Sequence, residues 1–511
     1  MRFTNKIYPQ NKMFSRFIPK LPSEWYKDNC TIEYVKNITR YDSIFQQFLK
    51  EFSEYKKENL NLAELHIEFK KLLGIYQVKC IKEYANNKKI VAFFCPTAAF
   101  RGHYISVPER LREGGVAVLF LYGTVCDDRY EKDEGAFFWG APDQYLDKEK
   151  LSFVNIFAVS TIMDCLPKSS IKILYDHISF ATFVPDWINE ETKNLSYDNL
   201  SEPQREAVFK KLYKKHEMLA LIPLFDYYLV PSVLRMKFLQ KFLFAYGYKS
   251  KTEIVDSDGE FASEAKFFKN YLYSGTEKQA SNITLIPSGY CKLDSKINKE
   301  AEPVDSEENI LVYAPTPNDP INKDEWLPHM SINEMGAEII ETLCNNFPNY
   351  QIVFKPYVNE RKEVVKNIID KNKHFSNFKY FTDSNYLSLY DKASLMISDF
   401  SSTAYTFALS NLKPVVFFSR HEELIANNNS DYLKYREEVG SIATNISELV
   451  EKTKYLLDNK KEFHKKIEIL RQSNIYNLGK SEEYITEAIL VIFNKKDLGN
   501  ECVKFNLERS E

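Results

Sequence analysis

At 511 residues the chain is too long for one ordinary hydrophobic core and suggests two domains with appended elements. Its 68 basic and 71 acidic side chains give a net charge of -3, so the composition demands no nucleic-acid partner, and there is no acidic or basic tail. No apolar run approaches the roughly 20 residues of a spanning helix, none follows Met1 to Lys6 as a leader would require, and the eight cysteines are scattered without a CxxC pair; together these read as a cytoplasmic protein with free thiols.

Residues 1–85 read as an N-terminal extension. Lys12 to Lys20 mixes Phe14, Phe17 and Ile18 with basic residues, which leaves open both peripheral contact with the inner face of a membrane and a flap on the protein's own surface. From Tyr41 to Tyr84 apolar residues recur at helical spacing, as in Ile44, Phe45, Phe48, Leu49 and Phe52, predicting two or three amphipathic helices. Lys89–Cys95 and Val116–Tyr122 then read as short buried strands, with a helix between them ending at Gly114-Gly115. Further strands are expected at Phe153–Ala158, Ile171–Tyr175 and Tyr227–Val230. Near-continuous apolar strands separated by helix-length segments indicate a parallel sheet covered on both faces. These elements make up a first domain over 86–294.

The polar stretch 295–309 reads as a linker. The alternation then resumes over 310–493, with strands at Ile310–Ala314 and Gln351–Lys355, a helix from Met335 to Cys344, and helices from Ile446 to Phe493 that return across both units; 494–511 reads as a tail. Within the second unit, Ala393–Ile397, the hydroxyl-rich Ser398-Asp399-Phe400-Ser401-Ser402-Thr403, and Pro414–Phe418 form one βαβ unit. Its helix start offers outward N–H groups and serine hydroxyls to a phosphate. Two doubly wound units in tandem place a ligand outside the carboxyl ends of their strands.

Four segments, taken in order, resemble the CDP-glycerol glycerophosphotransferase family, the teichoic-acid polymerase-like enzymes of GT-B fold. They are Ser288-Gly289-Tyr290-Cys291-Lys292-Leu293-Asp294, Tyr313-Ala314-Pro315-Thr316, Ser398 to Tyr405 with Lys413-Pro414-Val415, and Asn477-Leu478-Gly479-Lys480-Ser481. The resemblance implies an α/β, GT-B-like fold: two Rossmann-like doubly wound domains facing a central cleft, with N-terminal helices and a C-terminal helical region. It implies transfer of a phospho-alditol such as glycerol phosphate from a CDP-linked donor to a polysaccharide or lipid-linked glycan acceptor of a bacterial surface polymer, with CMP leaving. Nucleic acid is not an expected partner.

The family's base is a histidine just after a strand, and His177 in Tyr175-Asp176-His177-Ile178 takes that place without the glycine that usually follows. His103, in the turn after the first strand, is the second candidate, against a reading as a water-exposed turn histidine. For the donor diphosphate the candidates are Ser401, Ser402 and Thr403 with their amides, Thr316, and Lys355 at a strand's carboxyl end. Tyr357 stands where the family shows a histidine. Asp399 is expected to orient the turn or meet a sugar hydroxyl, since a carboxylate is repelled by a diphosphate. His329 is a weaker nucleotide candidate. No cofactor is expected to be required, a magnesium on the diphosphate leaves no sequence signature, and no His, Cys and Asp cluster has metal-ligand spacing. Two alternatives stay open: a glycosyltransferase using a nucleotide-sugar, which predicts an acidic residue gripping a ribose in the second unit, a part for which Glu338 or Glu341 could be mistaken, and a catalytically silent nucleotide- or glycan-binding subunit.

Overall fold

Runs of β-branched and aromatic residues become strands wherever both faces can be covered. In chain order these are β1 (Lys89–Cys95), β2 (Val116–Tyr122), β3 (Ala136–Phe138), β4 (Ile171–Tyr175), β5 (Tyr227–Val230), β6 (Tyr248–Ser250), β7 (Asn282–Pro287), β8 (Ile310–Tyr313), β9 (Gln351–Phe354), β10 (Phe378–Tyr380), β11 (Leu395–Ser398), β12 (Val415–Phe418), β13 (Gly440–Ala443) and β14 (Val503–Leu507). The computed structural model describes residues 88–95, 103–122, 136–138, 166, 170–175, 197–205, 207–209, 212, 222–250, 266–273, 280, 282–297, 309–316, 330–357, 362–382, 386–399, 401–422, 435–494, 498 and 502–507. The expected helices of the N-terminal extension and the expected strand Phe153–Ala158 lie outside them.

The strands form two sheets. The first runs β3-β2-β1-β4-β5-β7-β14-β6; its first six members are parallel, and β14 is antiparallel to both β7 and β6. The second, β10-β9-β8-β11-β12-β13, is parallel throughout. Counted within its own unit, each parallel set has the order 3-2-1-4-5-6, that of the dinucleotide-binding doubly wound fold. The two Rossmann-like units of a GT-B arrangement are therefore present. In each sheet the order reverses beside the first strand, so the crevices lie between β1 and β4 and between β8 and β11.

The helices of the first unit are α1 (Val107–Glu113), α2 (Val233–Ala245) and α3 (Cys291–Ile297). The second unit carries α4 (Ser331–Glu334), α5 (Gly336–Asn346), α6 (Lys362–Asn372), α7 (Tyr386–Lys392), α8 (Ser402–Asn411), α9 (Arg436–Val439), α10 (Ile446–Asp458) and α11 (Lys460–Asn474). Pro108 sits in the first turn of α1, where its missing N–H is harmless, and Gly114-Gly115 ends the helix with Gly115 at φ +79°. In α5 the buried positions Ile339, Ile340, Leu343 and Cys344 follow the helical period; the expected helix from Met335 is interrupted at Met335 itself, which separates α4 from α5.

The segment expected to be a linker from 295 begins inside α3, which runs to Ile297. The segment read as a tail supplies β14 to the first sheet. It is preceded by α12 (Ser481–Phe493), which packs on α1 and α3 of the first unit. Buried residues of both units form one hydrophobic cluster. Among the described residues no helix is long and apolar enough to cross a membrane.

Candidate active site

The second crevice is organised by Asp399, at the carboxyl end of β11 and 1% exposed. One carboxylate oxygen accepts from the Thr316 N–H at 2.7 Å and from the Thr316 hydroxyl. The other accepts from the Ser331 hydroxyl at 2.7 Å and from the Ser331 N–H at 3.3 Å. Ser331 also meets the buried Tyr313 hydroxyl at 2.9 Å, and Ser398 donates to the Ala314 carbonyl at 2.6 Å. A buried carboxylate must be compensated, and here four donors from the β8 turn and the start of α4 do so. Asp399 thus ties the β8 turn and the start of α4 to the end of β11. Both donors of Thr316 point at Asp399, which corrects the expectation that this side chain faces a phosphate. Sequence reasoning missed Ser331; nothing marks a serine so far along the chain as a partner of this turn.

Beyond Asp399 the chain turns into α8. Ser401 is its N-cap, in extended conformation, and accepts the Thr403 N–H at 3.3 Å. The Thr403 hydroxyl is engaged with the buried Tyr390 hydroxyl at 2.8 Å. Ser402 is exposed, and the first-turn N–H of a helix lacks an intrahelical acceptor. Of the three hydroxyl residues expected to hold phosphate, Ser401 caps α8, Ser402 is exposed in its first turn, and the Thr403 side chain braces α8 against α7.

Lys355 follows β9, its amide donating to the Tyr313 carbonyl at 2.9 Å, so it stands beside the β8 turn. Its ammonium lies 5.0 Å from the centroid of the Tyr386 ring and meets no carboxylate among the described residues. Burial pushes its pKa below the ordinary lysine value. A partly buried cation over a ring suits an incoming anion. Tyr357, two residues on, is 49% exposed. Lys413 of the Lys-Pro-Val segment donates to the Asp391 and Ala393 carbonyls, both at 2.7 Å, and so caps α7.

The first crevice holds His103, which is 5% exposed and therefore no water-exposed turn residue. Its ring centroid lies 6.1 Å from that of Tyr175 and 5.7 Å from that of Tyr290, and its Nε2 is 3.1 Å from Lys292 Nζ. The other base candidate, His177, and the weaker His329 fall outside the described residues.

Between the crevices lies the Ser288 to Asp294 segment. Tyr175 donates to the Gly289 carbonyl at 3.1 Å, and the Tyr290 hydroxyl reaches Thr406 on α8. Gly289 has φ +81°, and a Cβ there would lie 2.3 Å from the Tyr476 carbonyl oxygen, so only glycine fits. Asp294 accepts from the Ser481 hydroxyl at 2.8 Å and the Glu482 N–H at 3.1 Å, capping α12. Asn477 donates to the Pro287 carbonyl at 2.5 Å. The segments 288–294 and 477–481, far apart in sequence, are thus two halves of one junction. Among the described residues no group of His, Cys, Asp and Glu could hold a metal ion.

The crevice, its hydroxyl turn and this junction lie in one stretch with a recognisable signature. Residues 279–491 match the CDP-Glycerol:Poly(glycerophosphate) glycerophosphotransferase family. The family resemblance read from the four segments holds. The chain is also similar to the minor teichoic acid biosynthesis protein GgaB of Bacillus subtilis (strain 168), 28% identical over 199 residues; these are 38% of this chain but only 20% of that relative. The chain therefore spans about a fifth of the relative's length in the matched region. Among solved structures it is similar to the UDP-GlcNAc 2-epimerase from Neisseria meningitidis bound to UDP-GlcNAc, at 16% identity over 79% of this chain and 99% of that one, with a TM-score of 0.38. It is likewise similar to CalG4, the calicheamicin glycosyltransferase, at 10% identity over 81% and 100% of the two chains, with a TM-score of 0.44.

Proposed function

We propose that the protein transfers a phospho-alditol group, of the glycerol phosphate kind, from a CDP-linked donor to a hydroxyl of a growing cell-surface polysaccharide. The observation that carries this reading is the Lys355 ammonium, without a carboxylate partner among the described residues, at the carboxyl end of β9 in the same family-matched stretch as the serine-capped start of α8. In the reaction the acceptor oxygen attacks the phosphorus that bears the alditol. The new O–P bond forms as the bond to the bridging oxygen breaks, and CMP departs with that electron pair. Lys355 and the Ser401-Ser402 turn would hold the diphosphate and offset the charge gathering on the leaving phosphate. The proton of the attacking hydroxyl passes to a base on the first unit, for which His103 is the described candidate.

Magnesium on the diphosphate would have to be held mostly by the donor. The carboxylate at this turn, Asp399, has both oxygens taken by Thr316 and Ser331, so it does not fit as a metal ligand and no step is routed through one. The acceptor unit would lie against the β1 and β4 ends.

A thermal-shift series with CMP, CDP, UDP and GDP tests the reading, because a ligand that binds only the folded state raises Tm by mass action. Cytidine nucleotides should give the largest shift, and incubation with a CDP-alditol should release CMP while phosphorus stays in the product. Preference for a uridine or guanosine nucleotide, with release of a nucleoside diphosphate, would instead identify a glycosyltransferase.

A further inference from the structure

We propose that Tyr290 is a positioning residue for the transfer: its ring packs on His103 of the first unit while its hydroxyl is tied to Thr406 on α8 of the second, which sets the donor turn against the acceptor side. The proposal rests on the transferase reading above, which assigns the donor to the second unit and the acceptor to the first.

The first unit fixes the backbone of Tyr290. Gly289, at φ +81°, lies against the Tyr476 carbonyl, and its own carbonyl accepts from the Tyr175 hydroxyl at 3.1 Å. On either side the Ser288 N–H donates to the Val230 carbonyl and the Leu293 N–H to the Tyr290 carbonyl, both at 2.9 Å. The side chain runs from this anchored point towards the second unit. Its ring centroid lies 5.7 Å from that of His103, which is 6.1 Å from Tyr175, so the three rings form one wall. The hydroxyl meets that of Thr406. A phenylalanine would fill the same space; a phenol that is 2% exposed persists there only with a partner.

That partner is suited to transmitting an orientation. Thr406 stands one turn after Ser402 on the same face of α8, and its hydroxyl donates to the Ser402 carbonyl at 3.4 Å. A threonine hydroxyl carries one proton, so with that proton directed at Ser402 it accepts the proton of Tyr290. Burial raises the pKa of the Tyr290 phenol, which therefore keeps its proton at physiological pH. Tyr290 and Thr406 thus join His103 to the exposed first turn of α8.

The same segment also holds α7. Lys296 of α3 pairs with Asp391 of α7, α3 packs on α8, and the Tyr386 phenol stands near enough to that of Tyr290 to raise its pKa further. The two helices are joined to each other: the Tyr390 hydroxyl meets that of Thr403 at 2.8 Å, and its ring lies edge-on to Phe407 at 5.6 Å. This block carries Ser401 and Ser402 at the start of α8, and Tyr386, over which the Lys355 ammonium lies. The first unit therefore grips the part of the second that bears the groups proposed for the diphosphate. The Lys296–Asp391 pair is partly exposed and contributes little, whereas the buried hydroxyl tie has the directionality to fix an angle.

The test compares wild type with Tyr290→Phe, Thr406→Val, the double variant and Thr406→Ser, all in the full chain. Single-turnover transfer from saturating CDP-glycerol to poly(glycerol phosphate) gives the rate of the chemical step, and the Tm shift produced by CMP reports donor-site binding. Removing the hydroxyl leaves both the His103 packing and the donor groups in place, so the CMP shift should match wild type. A displacement of about 1 Å between reacting groups costs up to about a hundredfold, and Tyr290→Phe should slow transfer by about tenfold or more. Thr406→Val should slow it to the same extent, the double variant no further, and Thr406→Ser, which keeps the hydroxyl, should restore the wild-type rate. Should Tyr290→Phe not fold, the comparison of Thr406→Val with Thr406→Ser at half-buried Thr406 decides the matter. A residue that only filled the junction would lower Tm and leave the single-turnover rate unchanged. That result overturns the proposal, as do additive effects of the two single variants or a lost CMP shift. A wild type that releases no CMP from CDP-glycerol refutes the transferase reading itself and the proposal with it, an outcome distinct from active wild type beside equally active variants.

Discussion

Replacing Lys355 by methionine separates a binding charge from a structural one. The ammonium makes no ion pair with a described carboxylate, and its contact with the Tyr386 ring is a cation–π interaction at 5.0 Å, of the order of 0.5–1 kcal/mol at a partly exposed site. Burial lowers its pKa, so the folded state holds the proton less tightly than the unfolded chain does. The sign follows directly. Below the folded pKa this lysine makes a constant unfavourable contribution, which fades as pH rises through the folded value towards the ordinary value of 10.5 and is absent above it. Methionine keeps most of the apolar stem and removes that contribution, so the lost ring contact is largely offset and Tm at neutral pH should move by no more than about 3 °C.

Donor binding should respond quite differently. A charge-assisted hydrogen bond to a phosphate contributes about 1.5–3 kcal/mol, which corresponds to roughly a 10- to 150-fold weaker interaction once it is lost. Steady-state transfer at varied donor concentration, with urea unfolding of the same preparation, reads both quantities. The expected result is a donor KM raised within that range in a protein of near wild-type stability. A variant that unfolds far more readily, or one with unchanged donor KM and kcat, would refute the assignment of Lys355 to the diphosphate.

Asp399→Ala leaves the Thr316 and Ser331 donors without their common acceptor in a buried site, and at about 1–3 kcal/mol for each unsatisfied group urea unfolding should show a loss of at least about 3 kcal/mol. Gly289→Ala meets both a left-handed backbone and the Tyr476 carbonyl oxygen, so a comparable loss of about 3 kcal/mol or more is expected by the same measurement, with weakened packing of α12 visible as faster amide exchange there. Lys413→Ala removes the cap of α7 and should cost only about 1 kcal/mol. Cys291 is buried with a raised thiol pKa, and burial pushes the Cys344 thiol up to about 12, so neither should be alkylated by iodoacetamide at pH 8 until the protein is unfolded; rapid native labelling of Cys291 would contradict the placement of the segment before α3.

Sequence reasoning read the second unit well because its signals are local. Val415 to Phe418 and Leu395 to Ser398 are apolar enough to be strands in any parallel sheet, and the hydroxyl turn between Ser398 and the α8 helix announces its own cap. The role of Thr316 was misjudged for the opposite reason: whether its hydroxyl faces a ligand or a carboxylate depends on Asp399, 83 residues away in the chain. β7, with polar Asn282 and Thr284 interrupting its apolar run, went unread, as did β14, because pairing with neighbours rather than composition makes those segments strands.

The sequence by itself determined that the chain builds two doubly wound α/β units and that a phosphate-suited turn follows the strand at Leu395, since periodicity, turn chemistry and helix capping act over a few residues. Only the tertiary structure decided what the polar groups of that turn address. It buried Asp399 under four donors, left the Lys355 ammonium over Tyr386, and brought Lys292 to His103 from 189 residues away. Hydrogen bonds and charges take their meaning from what stands within a few ångströms, and chain topology rather than local sequence sets that neighbourhood.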